Sequence, residues 1–509
     1  MHRRLVYAIT RRRWLIIAIL MGTILLLLPS PAGLKLEGWR ALVITIVAIL
    51  LFVAEAVPLP AVAFIILVSQ VLLGINSPSD AASSFMDDSV FFIMGSLMLA
   101  VAVVKQRLDR RTAYALVRIS GPTTTHVAFG LLTVSALIAS FVGGHSVAGL
   151  MLPVALVLVR ASGEDRDRRR QLGRLLLLCV AYGCIIAGLG TPSGGVRNVV
   201  MIHFWAQLFD TQVTYADWIK FAYPAMLLLL PAAFTIIWFG ARPPMRDLSP
   251  AVAALRKQVA GDGRMGVREW AAIGVFAGTL AGWITVSDRI GLGVVAMIGA
   301  TCYLVFGLVE WSDYNQGVNW GVILVYGAAI SLGQVLQDTG AADWVATSAL
   351  VSLKAVGIGG AIPLLAVAAL ISAALANAMA AGAAVAVLAP ILLQMAKQAH
   401  LDPVIAGFVV ALAASFNYMT VFAHPASMIV YGSGLLQAGD FARLGWRLLI
   451  VSIAVVLLLA LLYWPHLAIP RPASDAVRGL AHTATPLCIC AAPTGATAAG
   501  LGVGIPGHR

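Results

Sequence analysis

Apolar stretches as wide as a bilayer recur along the chain, separated by short polar or basic clusters. Those near 14–30, 40–57, 59–74 and 90–105 approach or reach the ~18–20 residues that carry a helix across a ~30 Å hydrocarbon core. Others follow at 222–240, 270–286, 291–309, 319–338 and 446–465. Two apolar segments differ. Residues 183–200, GCIIAGLGTPSGGVRNVV, and residues 416–434, FNYMTVFAHPASMIVYGSG, are broken midway by Gly, Pro, Thr and Asn and carry an ionisable side chain. Unwound backbone is tolerated at membrane depth only where protein buries it or where it lines a polar cavity. Paired interruptions in two halves of a chain point to a carrier's binding site, so the two breaks are expected to face each other across a cavity.

Charge orients these stretches. Arg3, Arg4, Arg11, Arg12 and Arg13 place the N-terminus on the cytoplasmic side, and four spans return the chain there. KQRLDRRTAYALVRISG, from Lys105, interleaves basic residues with Leu108, Ala113, Ala115 and Leu116, the pattern of an amphipathic helix on the membrane surface; an ordinary basic loop is the other reading. From His126 to Val159 the chain is apolar on both sides of Gly143-Gly144-His145-Ser146, and it ends in RASGEDRDRRRQLGR. A single crossing would put this loop and Arg110-Arg111 on opposite sides. A re-entrant hairpin is therefore expected, with arms of about 15 residues reaching a little over ~20 Å. Residues 361–396 mirror it around NAMAAGAA, and broken helices at 172–208 and 403–436 follow the two hairpins. The expected fold is an all-α polytopic membrane protein of about eleven spans, with two re-entrant hairpins, two broken helices and an external C-terminus. Residues 90–208 and 319–436 share an order of parts but start on opposite sides of the membrane, as inverted repeats do.

Composition agrees, at 60% hydrophobic and 11% charged over 509 residues. The net charge of +12 is grouped in loops, which makes lipid headgroups rather than nucleic acid the expected partners. No small-residue cleavage site follows the first apolar stretch, so it is read as a retained span. Cys179, Cys184 and Cys302 lie in apolar runs and Cys488 and Cys490 in the tail, without a disulfide or metal signature. Residues 1–465 form one transmembrane domain; 466–509, rich in Ala, Gly, Thr and Pro, is expected to be disordered.

EAVPLPAVAF at Glu55, HSVAGLMLPV, GTPSGGVRN, and HPASMIVYGSG followed by Asp440 and Gly445 resemble the divalent anion:sodium symporter family, in order from about Arg40 to Trp464. That family carries dicarboxylates, citrate and sulfate. The resemblance implies a homodimer and a fold of inverted repeats with two hairpins and two broken helices. It also implies that hairpin tips and breaks bind the substrate carboxylates and sodium ions. Residue by residue, the substrate positions fall on Gly144, His145, Ser146, Arg197, Asn198, Gly382, His424, Pro425 and Ser427, and the sodium positions on Gly143, Gly190, Asn377 and Ala423. The chain departs from the family's Ser-Asn-Thr signature at both tips, with Gly144-His145-Ser146 at one and Ala381-Gly382-Ala383 at the other. In the breaks, Gly195-Val196-Arg197-Asn198 and His424-Pro425-Ala426-Ser427 keep only Asn198 and Pro425 of the family's Thr-Pro-Pro-Asn.

The residues have their own chemistry beside the resemblance. Arg197 can grip an anion bidentately, or it can satisfy carbonyls freed by the break or pair with an acid. His145 and His424 are hydrogen-bond donors or titrating groups for proton coupling on one reading, structural histidines on the other. Asn198, Ser146, Thr191, Ser193 and Ser427 are either ligands or caps of broken helices. GLGTPSGG lacks the Gly-Lys-Ser/Thr ending of a phosphate loop, and Asp87-Asp88 are read as an external loop rather than a metal site. No nucleophile–base set or HExxH marks a hydrolase, and paired hairpins with broken helices fit alternating access better than a channel. The expected function is secondary active transport of a small divalent or trivalent anion coupled to sodium or protons, with no cofactor beyond sodium as a possible coupling ion. A sodium/proton antiporter or an anion exchanger is the alternative. The expected location is the inner (plasma) membrane.

Overall fold

The computed structural model describes residues 2–106, 121, 123–160, 162, 165–241, 247–253 and 265–467. The surface segment expected after Lys105, most of the basic stretch after Arg242 and the tail from 468 lie outside the described residues. Within them the chain is helical, without a strand. In order, α1 is His2–Leu27, α2 Leu36–Ala54, α3 Leu59–Leu72, α4 Pro78–Phe85 and α5 Asp88–Lys105. Next come α6 Thr124–Val142, α7 Gly144–Arg160, α8 Arg166–Gly190, α9 Val196–Phe209 and α10 Tyr215–Ala241. The second half contains α11 Val267–Thr285, α12 Leu292–Val305, α13 Trp311–Gly317, α14 Trp320–Asp338 and α15 Ala341–Ala355. It closes with α16 Ala361–Ala378, α17 Ala381–Gln398, α18 Pro403–Ala413, α19 Pro425–Tyr431 and α20 Ala438–Leu462. Among the described residues nine helices are long and apolar enough to cross a membrane, and five shorter apolar ones accompany them.

Three expectations are adjusted. α1 begins at His2, so the N-terminal arginines belong to its helix instead of preceding it. The hairpin arms are longer than about 15 residues: α6 and α7 have 19 and 17, α16 and α17 have 18 each. Asp87 and Asp88 are not a free loop. Asp87 caps α5 by accepting the Ser89 N–H at 2.7 Å and faces His203 Nδ1 at 3.2 Å, while Asp88 accepts the Gly293 N–H at 3.2 Å.

Helices associate here through close approach, because lipid tails are as apolar as leucine and offer no hydrophobic driving force between helices. Gly183 of α8 lies so close to α6 that an added Cβ would meet Ser135 at 3.0 Å, and one added to Gly407 of α18 would stand 2.5 Å from the Trp205 ring. Every residue of α8 from Leu175 to Gly190 is buried, as expected of a helix apolar all round. Each half supplies a helical hairpin and an interrupted helix, and the halves interlock. α7 of the first hairpin packs on α19, beyond the second break, and α17 of the second hairpin packs on α9, beyond the first break. Behind the breaks, Phe221 stacks on Phe408 at 4.7 Å with Trp205, Trp218 and Trp464 around them. All three indoles donate to backbone carbonyls, Trp218 to Leu189 at 2.9 Å next to the first break. Asp440 and Gly445 also have structural roles: Asp440 pairs with Arg174 at 2.9 Å, and Gly445 lets α20 lie against the backbone of Tyr418.

Candidate functional site

Breaking a helix frees carbonyls at the end of one piece and N–H groups at the start of the next, and buried polar groups must be matched. At the first break Asn198 Nδ2 donates to Gly188 O at 2.8 Å and to Thr191 O at 2.7 Å, so its amide closes the gap. Thr191 Oγ1 donates to Ser140 O in the first hairpin and accepts the Gly194 N–H at 3.0 Å. Ser193 Oγ lies 2.9 Å from Tyr215 Oη. Asn198 Oδ1 remains, buried and without a donor. Gly190 is backed by Tyr223 and Met226 of α10.

Arg197, 7% exposed, runs from the first break to the second. Its Nε donates to Ser415 Oγ, and both Nη groups are left without an acceptor among the described residues. No described carboxylate pairs with it. The titratable groups that act on it are the phenols of Tyr326 and Tyr418 and the His424 ring. Gly188 and Gly195 make its slot: a Cβ at Gly188 would run into Nη2, and one at Gly195 would stand 2.9 Å from Cζ. A permanent charge kept at this depth without a counter-ion is costly unless something anionic visits it. A metal ion about 4 Å from the guanidinium would be repelled by ~4 kcal/mol at an effective dielectric of ~20.

At the second break His424 caps α19, its Nδ1 accepting the Ala426 N–H at 3.2 Å, with Pro425 exposed in the first turn. Asn417 Nδ2 donates to Ala423 O at 3.1 Å; Asn417 Oδ1 and Ser427 Oγ are buried without partners. Asn377 is spent as a staple between the second hairpin and this break. Its Nδ2 donates to Ala373 O at 2.8 Å and Phe416 O at 2.9 Å, and its Oδ1 accepts the Met419 N–H at 3.2 Å.

The hairpin tips meet these breaks. Gly143 turns the first tip at a φ of 91°, which favours glycine. A Cβ on Gly144 would lie 2.9 Å from Cys184 O and 3.0 Å from His424 Cε1, so only hydrogen fits between the tip and the second break. His145 is exposed with Nε2 3.1 Å from Ser146 Oγ, and its ring is within electrostatic range of His424. Gly382 of the second tip abuts the Tyr326 ring. The fold thus gathers Gly143, Gly144, His145, Ser146, Arg197 and His424 around one junction, with Gly382 joined to it through Tyr326. Asn198, Asn377 and Ala423 serve the breaks through hydrogen bonds, and Gly190 faces α10. Sequence reading missed Ser415, Asn417, Tyr418 and Tyr326. The first three border or lie within the second interruption and were open to notice; Tyr326 lies in an ordinary apolar helix, with no local signal.

A family model described as the sodium:sulfate symporter transmembrane region matches residues 10–469. A Staphylococcus saprophyticus protein named sodium-dependent dicarboxylate transporter SdcS is 22% identical over 469 residues, covering 87% of this chain and 89% of that one. The Caenorhabditis elegans sodium-dependent high-affinity dicarboxylate transporter 3 is 25% identical over 505 residues, covering 88% of each. Among solved structures, Neisseria gonorrhoeae MtrF, described with a class of antimetabolite efflux pumps, aligns with a TM-score of 0.57 at 13% identity, over 87% of this chain and 97% of that one. That likeness concerns the fold alone.

Proposed function

The chain belongs to the sodium:sulfate symporter family of membrane transporters and is not an enzyme; from that premise we propose that it is a secondary active carrier of a small di- or tricarboxylate or sulfate-like anion, coupled to sodium or protons and working by alternating access. One observation carries the anion: the buried Arg197, which among the described residues has no carboxylate partner and no acceptor for its Nη groups between the two breaks. A planar fork with unspent donors suits a carboxylate or sulfate, two of whose oxygens it can engage at once. The His424 and His145 rings add hydrogen-bond donors beside it. The names of the relatives, sodium-dependent dicarboxylate transporters, support the same substrate class and make sodium the first coupling ion to try. The sodium/proton antiporter alternative is disfavoured because it calls for a carboxylate at the junction, and among the described residues none pairs with these groups. On this reading the two hairpins are re-entrant, the N-terminus is cytoplasmic, the C-terminus is external in the inner membrane, and the protein is a homodimer.

The test is uptake of labelled succinate, citrate and sulfate by purified protein in liposomes, with sodium and proton gradients imposed separately and with unlabelled anion loaded inside for exchange. Accumulation of at least one probe is expected. If none enters under any of the three conditions, the reading is wrong.

A further inference from the structure

We infer that Tyr326 of α14 measures the anion: its hydroxyl donates to the acidic group at the end remote from Arg197, and its ring is the wall that fixes how long an anion the junction accepts. This rests on the anion-carrier reading above and concerns which anion that site selects, a chain with an acidic group at each end.

The second tip is shaped around the ring. Gly382 is not at a positive φ, yet a Cβ there would run into the Tyr326 ring and stand 2.6 Å from its hydroxyl. The missing side chain therefore makes room for a tyrosine that comes from another helix. Tyr326 is half-buried although Val325 and every residue from Gly327 to Gly333 are buried, so α14 keeps a face open at this position. That face looks onto the junction, because the phenol acts electrostatically on Arg197 and also abuts Gly382.

Donors collect there without an acceptor. The first backbone bond of α17 runs from the Ala384 N–H to Ala380 O, so the N–H groups of Ala381, Gly382 and Ala383 are free of the helix, and the N-cap residue Ala380 has no side chain to cap them. The Gly382 N–H faces the Tyr326 hydroxyl. A phenol that receives there still has its own proton to give, and among the described residues no acceptor takes it. Arg197 brings its unspent Nη groups from the first break. A helix N-terminus, a neutral hydroxyl and a guanidinium thus converge from the two halves of the chain, and together they fit an anion.

The guanidinium takes one acidic group as a fork, which leaves the other to Tyr326 and the start of α17. A tyrosine suits that end. It gives a donor without adding charge, and its ring has few torsions, so the span it sets is stiff.

The experiment uses the full chain, purified in detergent and titrated calorimetrically with sulfate and with the straight-chain dicarboxylates from malonate to suberate. The unmodified protein is expected to bind one length best. Tyr326→Phe, which keeps the ring and loses the hydroxyl, should weaken that acid by about tenfold or more without changing the preferred length. Tyr326→Ala removes the wall and should move the preference to a longer acid; Tyr326→Leu serves if the alanine variant does not fold, and the length preference decides alone if Tyr326→Phe does not. Tyr326→Phe binding within about threefold of the unmodified protein overturns the inference. An unchanged length preference once the ring is gone does the same, and makes the ring only a prop for the second tip. Uptake of sulfate or citrate into liposomes by a protein that binds no straight-chain dicarboxylate also overturns it; in all three cases the carrier reading stands. If no probe binds and none enters liposomes, the carrier reading falls and this inference with it.

Discussion

The His424 ring accepts the Ala426 N–H through Nδ1, which places the proton of the neutral imidazole on Nε2 and makes that nitrogen a donor. A second proton on Nδ1 would break the cap of α19, so His424 is poorly suited to load and unload protons. His424→Ala is expected to lower stability by about 1 kcal/mol, the usual cost of a lost cap, while His424→Asn keeps it, as thermal unfolding in detergent would register. His145 has no such tie. It is exposed at the tip beside Ser146, and the charged or titratable groups facing it are His424 and, behind that ring, Arg197. An imidazolium there adds positive charge, so anion uptake should rise only as pH falls below about 6.5, and His145→Asn should flatten the profile. A flat profile in the unmodified protein would assign His145 the role of a neutral donor only.

At the scale of elements, the interruptions hold their shape because side chains replace the missing helical hydrogen bonds. Asn377 does this for the second break from outside it, and Thr420 Oγ1 returns the contact by donating to Asn377 O at 3.1 Å. Asn377→Leu would leave Phe416 O and Met419 N–H buried without partners, at about 1–3 kcal/mol each, enough to show as a large fall in unfolding temperature. If stability is unchanged and only ion dependence shifts, Asn377 is a ligand and not a staple. The α5–α9 contact is tied in the same manner. Asp87 is both the cap of α5 and the partner of His203, which is 5% exposed and whose Nε2 has no acceptor or donor. Asp87→Ala should therefore cost more than an ordinary cap, above about 1 kcal/mol in the same unfolding measurement.

Over the whole molecule, the basic clusters flanking the apolar stretches are expected to set the topology. The hairpin α6–α7 lies between two basic segments, and its arms pack on each other, so both segments are expected on the cytoplasmic face. Single cysteines introduced at positions 111 and 168, in a background lacking Cys302, Cys488 and Cys490, should react with an impermeant reagent from the same side of the membrane. Reaction from opposite sides would mean that the segment crosses once, and the two-hairpin architecture would need revision. The reciprocal packing of α7 on α19 and α17 on α9 also predicts that the halves do not fold apart. A chain cut between α10 and α11 should yield neither half as a stable species, because each lacks the helix that covers its hairpin.

Apolar run length, the placement of arginines and the two interruptions are local properties, and they were enough for class, element order and the position of the two breaks. Bilayer thickness fixes the length of a span, and hydrocarbon permits a broken helix only where other protein covers it, so each signal can be read without knowing what lies opposite. Partnership cannot be read in that way. Arg197 reads in the sequence either as an anion ligand or as a plug for freed carbonyls; that Asn198 takes those carbonyls and that Ser415, 218 positions along the chain, holds Nε is visible only in the fold. Asn377 reads as a cation ligand in the sequence; that its amide hydrogen-bonds to Ala373, Phe416 and Met419 is visible only in the fold. Tyr326 carried no local mark, because a tyrosine in an apolar helix acquires its role only from the tip packed against it. Hydrogen-bond satisfaction and counter-charge are sums over every neighbour in space, and tertiary packing alone determines which neighbours those are.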